Sequence, residues 1–370
     1  MFAPLGWRAI GGPAVHVALM ERELVRRRRW MDREEFGRLF ALCNLLPGPG
    51  STQLALLIGL RRAGVRGMLL TALLFIGPAV AVMLVLSELY QRVGTDRSVQ
   101  LVLLGVEAAV VGVLARAAVD LSALPRRRWA NLGIAAAALA CGVLSLNPAA
   151  VLGGGAVLGW LAWVLETHQR PLGGAASRTR SVAALLAAAH VPLAGGAALG
   201  ALALTFLKIG AIAFGSGYVL LPFLHNDFVG GSFGLTDRQV ADAFAIAQVT
   251  PGPVFAVGAF IGDRVAGVPG GLVAAVAIFA PSLVFVPLAG AAARTIQRHA
   301  WLRASLDGVV AAALGLIASA CYALGVVAFR GPVEVLTAVL AFGLLLRWPR
   351  AQPMAVVLGV VAGFIVLATH

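Results

Sequence analysis

Long apolar runs dominate the chain, each closed by arginine, glycine or proline. They fall near residues 67–90, 99–119, 130–146 and 149–166 in the first half. In the second half they fall near 183–207, 209–224 (a shorter run), 270–290, 305–328, 333–346 and 353–369. A bilayer crossing needs about 20 apolar residues, so this pattern predicts on the order of ten crossings joined by short loops. The polar stretch 167–181, THQRPLGGAASRTRS, interrupts the series and predicts a linker between an N-terminal unit (1–166) and a C-terminal unit (182–370).

Two interruptions sit where a hydrophobic helix normally excludes them. LLPGPGSTQLA at 45–55 and QVTPGPVFAVG at 248–258 each place Pro-Gly-Pro in an apolar setting. Pro47-Gly48-Pro49 and Pro251-Gly252-Pro253 are 204 residues apart, as are Ala9-Ile10-Gly11 and Ala213-Phe214-Gly215, Phe40 and Phe244, and Asn44 and Gln248. Downstream the spacing becomes 203: Gly64 with Gly267, Pro78 with Pro281, Gly105 with Gly308, Gly112 with Gly315. The matches fall on helix breakers, which argues for an internal duplication over roughly 9–120 and 213–323.

Charge then orients the two copies. The 29 Lys plus Arg exceed 16 Asp plus Glu, but the basic residues lie in short clusters between apolar runs, which is the positive-inside pattern and not one accessible phosphate-binding face. If each Pro-Gly-Pro tips a re-entrant hairpin, Arg26–Arg29, Arg61, Arg62, Arg66, Arg126–Arg128, Arg170, Arg178 and Arg180 share one side, the cytoplasm. The flanks of the second break hold only Arg238 and Arg264, while Arg294, Arg298 and Arg303 follow the next span. The bias has swapped sides, as an inverted-topology repeat requires; a parallel repeat remains if 8–24 and 209–224 are not equivalent. The predicted fold is thus an all-α polytopic membrane protein of two homologous halves, each with a broken re-entrant helix hairpin.

A proline removes a backbone donor, and in hydrocarbon the freed groups are untenable unless they line an enclosed wet cavity. Paired breaks at membrane depth therefore mark a substrate site. Proline suits the first helical position, so Pro49 and Pro253 start half-helices whose free amides, at Gly50, Ser51, Thr52, Val254 and Phe255, form an anion cradle. Asn44, Ser51, Thr52, Gln53, Gln248 and Thr250 add neutral donors, though Ser51 and Thr52 could simply cap the helix. Lys208, inside TFLKIGAIAFGSGY, is a candidate counter-charge unless it snorkels to the interface. Glu107 reads as a pairing residue or proton carrier, and Asp242 and Asp263-Arg264 as interfacial. His16 and Glu21 fit either a functional role or an interface-lying helix.

No HExxH, GxSxG elbow or GxxxxGK[ST] occurs, so neither catalysis nor ATP hydrolysis is expected, nor a metal or cofactor. Cys43, Cys141 and Cys321 lack ligand spacing and read as buried thiols. No cleaved leader is expected in the first twenty residues.

The segments GGPAVHVALMERELVRRRRWMDREEFGRLFALCNLLPGPGSTQLA and FGSGYVLLPFLHNDFVGGSFGLTDRQVADAFAIAQVTPGPVFAVGAFIG resemble the two signatures of the chromate ion transporter (CHR) family, in the order of a long two-domain member. The resemblance covers most of the chain. It implies a multi-pass inner-membrane secondary transporter with antiparallel halves that exports chromate, with sulfate as an analogue. Asn44 departs from the Gln usual before the first break, which bears on selectivity. Alternatives are sulfate uptake, an anion channel, or a membrane enzyme acting on lipid phosphate. The expected partners are a tetrahedral oxyanion, the bilayer, a coupling proton and, for a homo-oligomer, further copies; nucleic acid is not expected.

Overall fold

The computed structural model describes residues 2–8, 12–122, 128–168, 196–214, 217–230, 232–349 and 351–369. The first half contains α1 (Phe2–Arg8), α2 (Gly12–Glu21), a π turn (Arg22–Arg27), α3 (Arg33–Cys43), α4 (Gly50–Val93), α5 (Arg97–Ser122), α6 (Arg128–Val143) and α7 (Pro148–His168). The second contains α8 (Gly196–Ile212), a 3-10 turn (Gly217–Val219), α9 (Leu220–Phe228), α10 (Asp237–Val249), a 3-10 turn (Val254–Ala256), α11 (Val257–Arg298), α12 (Ala300–Ala328), α13 (Pro332–Arg347) and α14 (Gln352–Thr369). Most predicted runs fall within helices, those near 67–90 and 270–290 as parts of the longer α4 and α11; the run expected at 209–224 is instead divided between the end of α8 and the start of α9. The expected linker lies outside the described residues except for Thr167 and His168, which extend α7. Residues 183–195 and 9–11 lie outside them as well.

At 44 residues, α4 run straight would be about 66 Å long, twice the roughly 30 Å hydrocarbon core. It is broken. Ala63 (φ −146, ψ 30) and Gly64 (φ 60, ψ −154) leave helical conformation, and Ala266 (φ −143, ψ 28) with Gly267 (φ 64, ψ −168) repeat this excursion in α11. Each bend folds a short arm (50–62, 257–265) back against a long one (65–93, 268–298). Around the bends Gly59 meets Gly67 and Gly262 meets Gly270, so closely that a Cβ on either member would strike the carbonyl of the other. α3 and the short arm of α4 form the first hairpin, tied at its base by Arg61 to Glu35 at 2.9 Å. α10 and the short arm of α11 form the second.

Side-chain caps fix where each hairpin begins. Asp32 accepts from Glu35 N ahead of α3, and Thr236 with Gln239 makes a reciprocal capping box ahead of α10.

The halves exchange helices. α13 and α14 pack on α5, whereas α6 and α7 pack on α12. Glycine permits these crossings symmetrically: Gly105 against Gly359 and Gly363, Gly308 against Gly155 and Gly159, Gly112 against Ala338, Gly315 against Ala135. Close backbone approach over small residues is how helices associate where burial from water offers no drive.

Among the described residues five helices are long and apolar enough to span a membrane, and the shorter apolar segments Trp129–Val143, Ala198–Ile212 and Gln352–Ala368 stand beside them. Their outward faces carry Leu73, Val85, Val276 and Val326, each more than half exposed, as lipid contact requires. Trp129, Trp301 and Trp348 lie beside basic clusters on one face, and Arg62 and Arg28 stack over Trp30 there. On that face Arg28 Nε, 2.6 Å from Glu23, together with Arg27 holds the Glu23 carboxyl below its ordinary range.

Candidate functional site

The breaks adopt matching backbones. Gly48 (φ 108) and Gly252 (φ 99) occupy the left-handed region that glycine alone takes readily, and Pro49 and Pro253 follow in extended conformation as N-caps. Neither proline supplies a side-chain cap, so the first amides of the helices behind them have no intrahelical partner.

Both helix starts open into one cavity of about 890 Å³, whose lining includes Pro49, Gly50 and Ser51 from the first break and Pro253, Val254 and Phe255 from the second. Asn44 is there too. The remaining wall comes from α2 (His16, Glu21), the end of α5 (Arg116, Asp120), the start of α12 (Asp307, Val310) and Tyr218 and Gln352. Gln352 donates to the Tyr218 hydroxyl at 3.0 Å, fixing the start of α14 against the turn before α9. With partial positive charge at two helix starts, the cavity is suited to an anion.

Several expected ligands stand behind this wall. The Gly48 amide donates to Ala213 O at 2.7 Å, so it braces the break against the end of α8. Gln53 Nε2 donates to Pro47 O and reaches Ser282 Oγ at 3.3 Å. The Thr250 hydroxyl donates to Ala247 O at 3.2 Å. Pro47, Pro251, Gly252, Thr52 and Gln248 are likewise absent from the described lining, although Thr52 Oγ1 and both amide atoms of Gln248 are buried without a hydrogen-bond partner among the described residues. Lys208 lies elsewhere, its ammonium 2.8 Å from Asp227.

Other expectations require correction. Ser51 does not cap its helix; its hydroxyl lies 3.3 Å from His16 Nδ1. His16 is buried against Phe75. Asp242 and Asp263, expected at the interface where the second hairpin begins and ends, are buried within the protein near the end of α4, where Tyr90 donates to the former at 2.6 Å and Gln91 to the latter at 3.2 Å. Only Cys43 of the three thiols is fully buried.

Arg116 is the residue that sequence reading missed. It is the sole Lys or Arg in the described lining, held by Asp120 at 2.6 Å, with Nε buried and unpartnered. Its spacing of four to Asp120 along α5 was the available signal.

A second, smaller cavity of about 130 Å³ is lined by the counterparts of these residues. Leu316, Ser319, Ala320, His225 and Pro148 stand 203 or 204 residues from Val113, Arg116, Ala117, Glu21 and Gln352. The large cavity takes the first turns of α12 and the small one its last turns, so the two open toward opposite ends of that helix. His225 Nε2 lies 2.6 Å from Asp237 Oδ1 across the small one.

Comparison with known proteins decides what these paired cavities belong to. The model of the family described as chromate transporter matches residues 1–160 and 200–366, one stretch in each half. The chain belongs to the chromate transporter family. It is 33% identical over 369 residues to the chromate transport protein of Cupriavidus metallidurans, covering 96% of this chain and 89% of that one. It is 31% identical over 376 residues to a probable chromate transport protein of Synechococcus elongatus, with 98% and 93% covered. A chromate transport protein of Pseudomonas aeruginosa shares 32% over 330 residues, 85% of this chain and 77% of that one. No solved structure gives a significant match. As a member of this family the chain is a multi-pass plasma-membrane protein with a role in transport.

Proposed function

We propose that this protein exports chromate, a tetrahedral dianion, from the cytoplasm by alternating access, holding it at the two helix starts that follow Pro49 and Pro253. The observation that carries this reading is the convergence of both starts on one cavity of about 890 Å³ while the counterpart cavity has only about 130 Å³. The two halves are taken as inverted copies, so that exchanging their conformations would close the large cavity and open the small one. The positive-inside rule puts the large cavity on the cytoplasmic side, because Glu21 and Pro349 on its rim adjoin the clusters Arg26–Arg29 and Arg347–Arg350.

Backbone amides and neutral side chains bind a dianion without a permanent ion pair, so release stays possible. Arg116 adds one adjustable charge: Asp120 holds it at rest and yields it to the anion. An inside-negative potential contributes about 2.3 kcal/mol per charge per 100 mV, which favours exit of a dianion. A proton is the expected coupling ion.

The test is chromate accumulation by inverted membrane vesicles containing the protein, with excess sulfate as competitor and with proton gradient and potential collapsed separately. Saturable, sulfate-blocked accumulation is expected. Non-saturable flux would instead indicate a channel, and no flux of either anion through inserted protein would remove the reading.

A further inference from the structure

We propose that Glu107 and Asp242 form a proton-binding site that latches α10 to α5 on the side away from the open cavity. Its coupling role rests on the transport reading above; the site itself rests on packing and burial.

Glu107 lies nearly three turns into α5 and is fully buried, with both carboxyl oxygens lacking a hydrogen-bond partner among the described residues. Asp242 lies in the second turn of α10, also fully buried, and its Oδ1 is unpartnered. The charged groups facing Glu107 are Asp242 and Arg238 from α10 and Arg330 from the turn before α13. Arg238 serves Asp242 more than Glu107, with Nε 3.7 Å from Oδ2, and its terminal nitrogen donates to Gln100 O. Tyr90 of α4 donates to that same Oδ2 at 2.6 Å, and Arg264 of α11 stacks on the Tyr90 ring. From α12, Cys321 points its thiol at Val111 O; α13 contributes buried Glu334 in its first turn, and α14 holds no ionisable residue.

Asp242 Oδ2 is thus engaged, whereas its Oδ1 and both Glu107 oxygens are buried without a hydrogen-bond partner among the described residues, on two helices that pack together. Two carboxylates cannot both stand charged and dry at this approach; one proton between them converts repulsion into a hydrogen bond. The consequence reaches the anion cradle. α10 runs from Asp242 directly to Thr250 and the second break, and its Asp237, Val240 and Ala241 line the small cavity. With the proton in place α10 stays against α5; when the proton leaves to water, the facing charges part the two helices and shift α10, which forms one wall of that cavity.

Infrared spectroscopy of the purified full-length protein across a pH series in H₂O and D₂O tests the site without any anion. The wild type is expected to show a protonated-carboxyl C=O band at neutral pH that Glu107→Gln lacks. Absence of the band in the wild type, or its persistence unchanged in both Glu107→Gln and Asp242→Asn, overturns the proposal. The latch is read by labelling a cysteine at Ala320 with an impermeant thiol reagent. Labelling should rise as pH rises in the wild type and stay low at every pH in Glu107→Gln; pH-independent labelling in both refutes the latch. Chromate binding, measured on the same preparations, separates the two ideas: binding with no band defeats the proton site alone, and a Glu107-dependent band with no binding defeats the transport reading alone.

Discussion

The two Pro-Gly-Pro breaks share a backbone and little else. Gly48 and Gly252 have nearly the same φ, and each is followed by a proline that starts a buried helix entering one cavity. Their side chains diverge: Ser51, Thr52 and Gln53 in the first correspond to Phe255, Ala256 and Val257 in the second. What duplication has kept in both copies is main-chain geometry, so the common chemistry is that of free amides at helix starts. The hydroxyls and amides of the first copy make the site lopsided; they tune it.

The sharpest way to break this comparison is to fill the glycines. Alanine at Gly252 would drive its Cβ into Ala79 Cβ, whereas at Gly48 it meets the end of a flexible Gln53 side chain; both positions also have unfavourable φ. Strain of about 1–3 kcal/mol per site predicts a roughly 5- to 150-fold loss of chromate flux in each at equal membrane abundance, with Gly252→Ala the worse. Wild-type flux in both would remove the shared-backbone account.

Arg116→Gln comes next. Losing one charge-assisted contact of about 1.5–3 kcal/mol should raise KM for chromate roughly 10- to 100-fold, while Asp120→Asn, which frees the guanidinium, should lower it. Equal KM values in all three proteins would place the anion elsewhere.

Gln248→Leu gives a split signature. It removes a buried amide without partners, so thermal stability should increase by about 1–3 kcal/mol while transport falls if that amide turns toward the anion during the cycle. Increased stability with unchanged flux would confine Gln248 to a structural part. The smallest effect is expected of Ser51→Ala, about 0.5–1 kcal/mol or a two- to fivefold rise in KM, because its hydroxyl already interacts with His16.

The repeat and the breaks were legible because proline and glycine act locally: Pro49, Gly64 and their counterparts dictate backbone wherever they stand. The spans were legible from apolar run length. Contacts across the exchanged halves were not, since no local signal links Tyr90 to Asp242 or Gln53 to Ser282, residues separated by more than 150 positions. For the same reason the Gln91 partner of Asp263 and the Asp227 partner of Lys208 went unseen. Arg116 was visible as a charge in an apolar run, but its place on the cavity wall depends on how α5 is rotated against α12, which hydropathy does not report.

The central claim is that the two cavities open alternately. Single cysteines at Ala117, in the large cavity, and at the equivalent Ala320, in the small one, should be placed in protein lacking Cys43, Cys141 and Cys321, and labelled from each face of the membrane with an impermeant thiol reagent. The account predicts that Ala117→Cys reacts from the cytoplasmic face at rest and Ala320→Cys scarcely at all. Under transport conditions the second should gain reactivity from the opposite face as the first loses it. Simultaneous reactivity of both, unaffected by substrate, would mean a continuous pore and would contradict the account.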